Sequence, residues 1–374
     1  MLNWRPIVIG VSFIFLPWNS AHADIKVRGF ADVIGSNTNT SLPLTWINNY
    51  GKQFVFDSSR VGLNVSAELS HEWDFAGQLV ARGDTSPGKQ GSYLVTADWI
   101  FFTYRPNDHW RFRVGRQIFP LYLYSEEFDV GFNYLWIHLP TTVYGIVPVK
   151  SFNGLSVAYS EDFGDYRGIL SVFAGTGFFE QFSSGIGGAV IRDQYVRGAS
   201  LVVNDENIKV SASYKISHPV GNIYQSNGGS ELTIPFDIGN VQNWSLGVST
   251  HLNSFLFIAE GGTSHTDIPN TDEDKGFYAT LGYELLNATL MPNVTYAYQW
   301  TKNATVFYPD SAVFASDPTG ALQKSLSQLI VGINYRANLS TILKLSYERD
   351  ELAYRNSSLN FGADTFSLAV DAIF

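Results

Sequence analysis

Apolar and polar side chains alternate along most of this chain. Between residues 58 and 69, Ser59, Val61, Leu63, Val65, Ala67 and Leu69 alternate with Ser58, Arg60, Gly62, Asn64, Ser66 and Glu68. Successive side chains of a strand point to opposite faces, so this spacing gives one apolar and one polar face. The pattern returns at Trp244, Leu246, Val248 and Leu252, and at Phe277, Ala279, Leu281, Tyr283 and Leu285. It returns again at Val294, Tyr296, Tyr298 and Trp300, and at Leu329, Val331, Ile333 and Tyr335.

Short polar connectors punctuate the runs: Ser70-His71-Glu72, Arg105-Pro106-Asn107-Asp108, Glu161-Asp162-Phe163-Gly164-Asp165 and Asn204-Asp205-Glu206-Asn207, with more near Asn253, Asn287 and Asn338. Gly, Pro, Asn and Asp supply the dihedrals of tight turns. Longer segments, most of them rich in Ser, Thr, Asn and Gly, alternate with the short ones, at 36–53, 83–92, 119–150, 178–194, 218–242, 263–275, 302–326 and 353–362. Sixteen strands lie between: 25–35, 54–69, 73–82, 93–105, 109–118, 151–160, 166–177, 195–203, 208–217, 243–252, 255–263, 275–286, 289–301, 327–337, 341–352 and 363–374. The strands at 166–177, 195–203 and 255–263 alternate poorly, which leaves fourteen or eighteen as other counts.

A soluble sandwich would turn the apolar faces inward, whereas a membrane barrel turns them to lipid and lines a wet lumen with the polar ones. Composition selects the second. Aromatic residues make up 15% of the chain and charged residues only 16%, against about 25% charged in soluble domains. Cysteine is absent, which removes disulfides and thiolate chemistry. The net charge of −10 does not suit a nucleic-acid binder. Arg5, the apolar run from Ile7 to Leu16, Pro17 and Ala21-His22-Ala23 have the order of a secretory leader. We therefore expect a signal peptide over 1–23 and an all-β transmembrane antiparallel barrel over 24–374. Trp73, Tyr93, Trp110, Tyr159, Trp244, Phe277 and Trp300 fall near strand ends, as interfacial girdles require.

In the final strand Phe366, Leu368, Val370, Ala372 and Phe374 share one face. This ending resembles the C-terminal signature that barrel proteins present to the outer-membrane assembly machinery. The chain as a whole resembles bacterial general porins, which are sixteen-stranded and usually trimeric. Ser58-Ser59-Arg60-Val61-Gly62 is similar to the second-strand segment of porins, where an Arg projects into the pore. Arg113-Val114-Gly115-Arg116-Gln117, followed by Pro120, is similar to the end of the fifth strand, which opens the constriction loop. The resemblance implies that the third external loop folds inward, and here the third long connector, 119–150, is also the longest. It is unusually aromatic and apolar, with Phe119, Leu121, Tyr122, Leu123, Tyr124, Phe132, Tyr134, Trp136 and Ile137. Packing against the wall is favoured over a stacking track for a substrate.

The polar register of the first five strands carries Lys26, Arg28, Arg60, Arg82, Arg111 and Arg113, against Asp32, Glu68, Asp74 and Asp98. With Glu126, Glu127 and Asp129 on the connector, an inward loop sets carboxylates across a narrow gap from an arginine wall. The transverse field orients dipolar solutes and penalises apolar ones. The plainer alternative is that the arginines pair with nearby acids and stiffen the wall. The pore constriction is therefore assigned to Arg28, Arg60, Arg82, Arg113, Glu126, Glu127 and Asp129. The expected function is passive diffusion of small hydrophilic solutes and ions, with no cofactor or metal. The expected setting is a homotrimer among outer-membrane lipid and lipopolysaccharide. The alternatives are a substrate-selective channel, a barrel enzyme or a structural barrel. Ser249 and His251 share one strand face but read as wall residues, and Asp272-Glu273-Asp274 reads as a solvated loop rather than a divalent-ion site.

Overall fold

The computed structural model describes residues 24–40, 54–83, 92–147, 149–183, 187–227, 230–237, 239–267, 273–302, 305–308, 313–316, 323–355 and 360–374. The alternating segments form β1 Asp24–Thr40, β2 Arg60–Glu68, β3 Trp73–Gly83, β4 Tyr93–Tyr104, β5 Trp110–Ile118, β6 Ser151–Phe163, β7 Tyr166–Ser183 and β8 Gly187–Asn204. They continue as β9 Ile208–Asn227, β10 Val241–Leu252, β11 Phe255–Thr266, β12 Glu273–Tyr283, β13 Leu290–Lys302, β14 Gln323–Asn338, β15 Thr341–Arg355 and β16 Asn360–Ile373. Chain neighbours pair antiparallel throughout. β1 pairs on one side with β2, through Asp32↔Arg60, and on the other with β16, through Val33↔Val370. Gly29 and Phe374 exchange backbone hydrogen bonds of 2.7 and 2.9 Å along the same seam. The sheet closes on itself with no free edge, as a sixteen-stranded antiparallel barrel.

Each of the sixteen predicted strands has its counterpart, but several boundaries move. Residues 54–59 are not strand, and Val55 makes only an isolated bridge to Ser36. β7, β8 and β9 run on through parts of 178–194 and 218–242 that composition had assigned to loops. Ser230–Asp237 adds a further strand against the far end of β9, and Thr305–Tyr308 pairs with Val313–Ser316. A strand wetted on both faces loses its apolar alternation without losing its hydrogen bonds, so polar composition marks water there, not irregular backbone.

The two faces separate as the alternation requires. Leu63, Leu246, Leu281, Tyr296, Val331 and Leu368 are exposed on one face. Thr280, Thr295, Gln328, Ser367 and Asp371 are buried on the other. So wide an apolar surface needs a partner other than water, and an outward apolar band is what a transmembrane barrel presents to lipid. Near strand ends on that face, rings pair at 4.8 Å (Trp73 and Tyr104), 5.0 Å (Trp110 and Tyr159) and 4.3 Å (Tyr214 and Trp244).

Where alternation was poor, the structure gives the reason. The β7–β8 ladder shifts register between Gly175 and Gly177, and the β8–β9 ladder between Asp193 and Val196. In β11 the polar face is itself interrupted by Leu256 and Ile258. These two join Tyr278, Ala297 and Ile330 from neighbouring strands in one cluster with Leu135, Trp136, Leu139, Val143 and Tyr144 of connector 119–150. A second cluster joins Phe119, Leu121, Ile146, Val147 and Val149 of the connector to Phe152, Phe173 and Val196 of the wall. The connector thus carries its own core onto the polar face, and the wall turns apolar where that core lands. Two glycines allow the contact. A Cβ on Gly276 of β12 would lie 1.8 Å from the Thr142 carbonyl oxygen, and one on Gly131 would lie 2.9 Å from Asp32 Oδ2.

Candidate functional site

Polar contacts fix the connector along an arc of the wall that runs from β11 through β15 and β16 to β2 and β3. Lys344 of β15 is 1% exposed. It donates to the carbonyls of Gly131 at 2.6 Å, Tyr134 at 2.7 Å and Trp136 at 3.0 Å. Asp371 of β16 balances its charge at 2.8 Å. Asn334 donates to the Leu135 carbonyl at 3.0 Å, and Trp136 Nε1 donates to Thr295 at 2.7 Å. Further round, Glu260 of β11 accepts from the Leu123 amide at 2.7 Å, the Tyr144 hydroxyl at 2.8 Å and the Tyr278 hydroxyl at 3.0 Å. Ser213 and Ser245 both donate to the Leu121 carbonyl. A buried ion is tolerated only when its remaining valences are met, and here connector backbone meets them.

Beside Asp371, whose register partner on β1 is Asp32, stand the predicted arginines. Arg60 of β2 donates to Asp32 Oδ2 at 2.6 Å and to the Tyr134 hydroxyl at 2.6 Å, with Asp129 Oδ1 at 3.8 Å. Arg82 of β3 contacts Asp98 at 2.5 Å and Asp129 at 3.0 Å. Asp98 reaches this cluster because β4 bulges there: Trp99 pairs with Gln78 and Ala97 with Leu79, leaving Asp98 as the extra residue. Burial pushes the Asp129 carboxyl up. A hydrogen bond with Asp98 and the charges of Arg82, Lys150 and Arg60 outweigh it, and the carboxyl ends below its ordinary value.

The seven predicted site residues therefore divide. Arg60, Arg82 and Asp129 form one network. Arg113 and Glu126 form a looser pair at 3.4 Å, with the Arg113 guanidinium 4.5 Å from the Phe101 ring. Glu127 stands apart from the arginines, near Lys209 of β9. Burial raises its carboxyl above the ordinary range, against the lowering pull of Lys209. Arg28 is exposed, with no ion pair among the described residues. Asp129 is thus in direct contact with the arginines rather than across a gap from them, because desolvated charges that close gain more from pairing than from separation. Sequence reasoning missed Glu260, Lys344 and Asp371. For Glu260 and Asp371 the signal was a lone charge in the polar register among small or apolar neighbours, whereas Lys344 shares its face with Glu348 and Asp350 and had no such mark.

Other candidates are less developed. Ser249 hydrogen-bonds Tyr124, and His251 lies 3.9 Å from Glu284. No Ser249–His251 hydrogen bond is present among the described residues. Glu273 pairs with His265 at 3.0 Å and Asp274 accepts from Gln299 at 2.8 Å, while Asp272 lies outside the described residues. The expected leader over 1–23 also lies outside them.

Comparison with protein-family models gives no match, and comparison with curated proteins gives none either. Solved structures do match. A loop L8 deletion mutant of OmpT, an outer membrane protein of Vibrio cholerae, superposes with a TM-score of 0.60 at 11% identity, covering 94% of this chain and 99% of that one. The outer membrane channel DcaP of Acinetobacter baumannii gives 0.58 at 13% identity, covering 95% and 98%. The anion-selective porin from Comamonas acidovorans gives 0.54 at 11%, covering 94% and 100%. The closed sixteen-stranded barrel of this chain is thus similar in fold, over nearly its whole described length, to outer-membrane porins and channels.

Proposed function

We propose that the protein is an outer-membrane porin, a water-filled channel for passive diffusion of small hydrophilic solutes and ions. The observation that carries this reading is the connector 119–150, bonded to β2 and β3 through Asp129 and to β11 and β15 through Glu260 and Lys344. A segment tied to distant strands on the polar face of a closed barrel crosses the interior and narrows it. Its aromatic residues support general diffusion over a selective stacking track, since Trp136 and Tyr134 are buried in packing. We assign no catalytic role to Ser249 or His251. Leader removal after 23, a homotrimer, and a setting of lipid and lipopolysaccharide complete the proposal.

Purified protein in planar bilayers should give ohmic conductance steps, and liposomes containing it should swell more slowly as the test sugar grows. Protein that folds as β-structure in detergent yet conducts nothing would overturn the reading.

A further inference from the structure

Short turns close one end of the barrel wall, and a cavity of roughly 410 Å³ opens there against β4 to β7. Arg105, Arg111, Arg167, His71 and His109 line it, and Asp108 is the single carboxylate among its described lining residues. At the same end of β1, Lys26 pairs with Glu68 at 2.9 Å and with Asp24 at 3.6 Å.

The partners of these cations are few. Arg105 contacts Asp74, and Arg167 donates to Ser160 at 3.3 Å with Asp162 at 3.8 Å. His109 lies 3.2 Å from Glu161. Arg111 has no ion pair and no hydrogen bond to a side chain among the described residues. The charges of Arg113, Arg105 and Arg167 all bear on Arg111, opposed by that of Glu126. Gathered guanidinium groups repel one another, and an anion between them relieves that repulsion. Each planar fork also presents paired N–H donors that match the two oxygens of a carboxylate or phosphate. A cavity of this volume falls within the range of small-molecule sites, about 300–1,000 Å³.

The geometry points to an oxyanion site at the turn end of the channel, formed by Arg105, Arg111 and Arg167. It takes small solutes that carry phosphate or carboxylate groups. The inference rests on the channel reading for its role in transport, but the site is testable without it. It lies away from the Asp129 network, and its link to the connector is the charge of Glu126, which bears on Arg111 and pairs with Arg113, itself left unchanged.

The probe is inorganic phosphate, titrated calorimetrically into the folded full chain in detergent. Arg111→Gln and Arg167→Gln are each expected to weaken binding about tenfold, the usual scale for a lost charge-assisted bond. Arg111→Lys should weaken it less. Arg349→Gln, which removes an exposed arginine that pairs with Glu351 and Asp364, should leave it unchanged. Equal affinity in all four variants, or no binding by the parent protein, would overturn the site. Conductance of the same preparations separates the two readings. Channels that conduct without binding phosphate sink the site alone, and phosphate binding without conductance sinks the channel alone.

Discussion

Asp129 and Glu127 lie two positions apart, yet their carboxyls shift in opposite directions. Asp129 is held below its ordinary value of 3.8 by contact with Asp98, Arg82 and Arg60, whereas burial lifts Glu127 above 4.5. The signs decide the order of titration. A depressed carboxylate contributes stability above its unfolded value and loses it only as pH falls through the lower folded value. Asp129 therefore keeps its clamp through mild acid. Glu127 has the reverse sign: its charged form is disfavoured in the fold, and protonation above pH 4.5 relieves that cost. Burial and the charges of Arg60 and Lys344 hold His138 below the usual imidazole range, so it stays neutral over the same interval. Acidification through the raised Glu127 value, with Asp129 still ionised, should thus remove one negative charge from the connector without releasing the Asp129 clamp. We expect reversal potentials to shift toward anions as pH falls, and Glu127→Gln to show the shifted value before any acidification. A pH-dependent shift of equal size in Glu127→Gln would refute the assignment. Of this site, Arg60, Arg82 and Asp129 were legible because charges in a polar register are conspicuous. Their direct contact was not, since it depends on where the connector lands.

At the scale of elements, the strands were legible and the docking of the connector was not. Period-two alternation survives wherever one face meets lipid and the other meets water. It fails in β11 because Leu256 and Ile258 meet Trp136 and its neighbours instead. The turns were readable for a local reason: Asn107 Oδ1 accepts from the His109 and Trp110 amides at 3.0 Å, and Asp205 Oδ1 from the Asn207 and Ile208 amides at 2.7 Å. Asn253 and the run Leu286, Asn287 and Ala288 adopt φ between 53° and 61°, which makes the tight turns where Asn was expected. No such local rule could place Lys344 under three carbonyls 208 to 213 residues away in the chain. Lys344→Met should strip those carbonyls of their donor and leave Asp371 buried without a cation. Breaking one partner of a buried pair costs about 3–5 kcal/mol, and β15 can retain its ladder throughout. The cost should therefore appear as undocking of 131–137. Hydrogen exchange there should accelerate while exchange in β14 to β16 stays slow. Unchanged exchange in 131–137 would show that the apolar cluster alone holds the connector.

For the whole molecule, the decisive question is which medium the apolar face meets. Leu246 is 63% exposed at the middle of β10, and Val331 is 48% exposed at the middle of β14. These strands lie on separate stretches of the wall, so the pair samples the belt rather than a single patch. If the belt lies in hydrocarbon, arginine at either position must carry charge to the bilayer midplane. The cost there is about 2–4 kcal/mol. If water or another protein surface covers the belt, the same change falls near the ±0.5 kcal/mol scale typical of exposed sites. Leu246→Arg and Val331→Arg, unfolded by guanidinium from phospholipid vesicles, should each lose about 2–4 kcal/mol. Trp244→Arg, near the strand end, should lose about 0–1 kcal/mol by comparison. A flat response across the three positions would remove lipid as the medium. The closed sheet would then need another partner for its apolar face, and a channel between two aqueous compartments would have no membrane to cross.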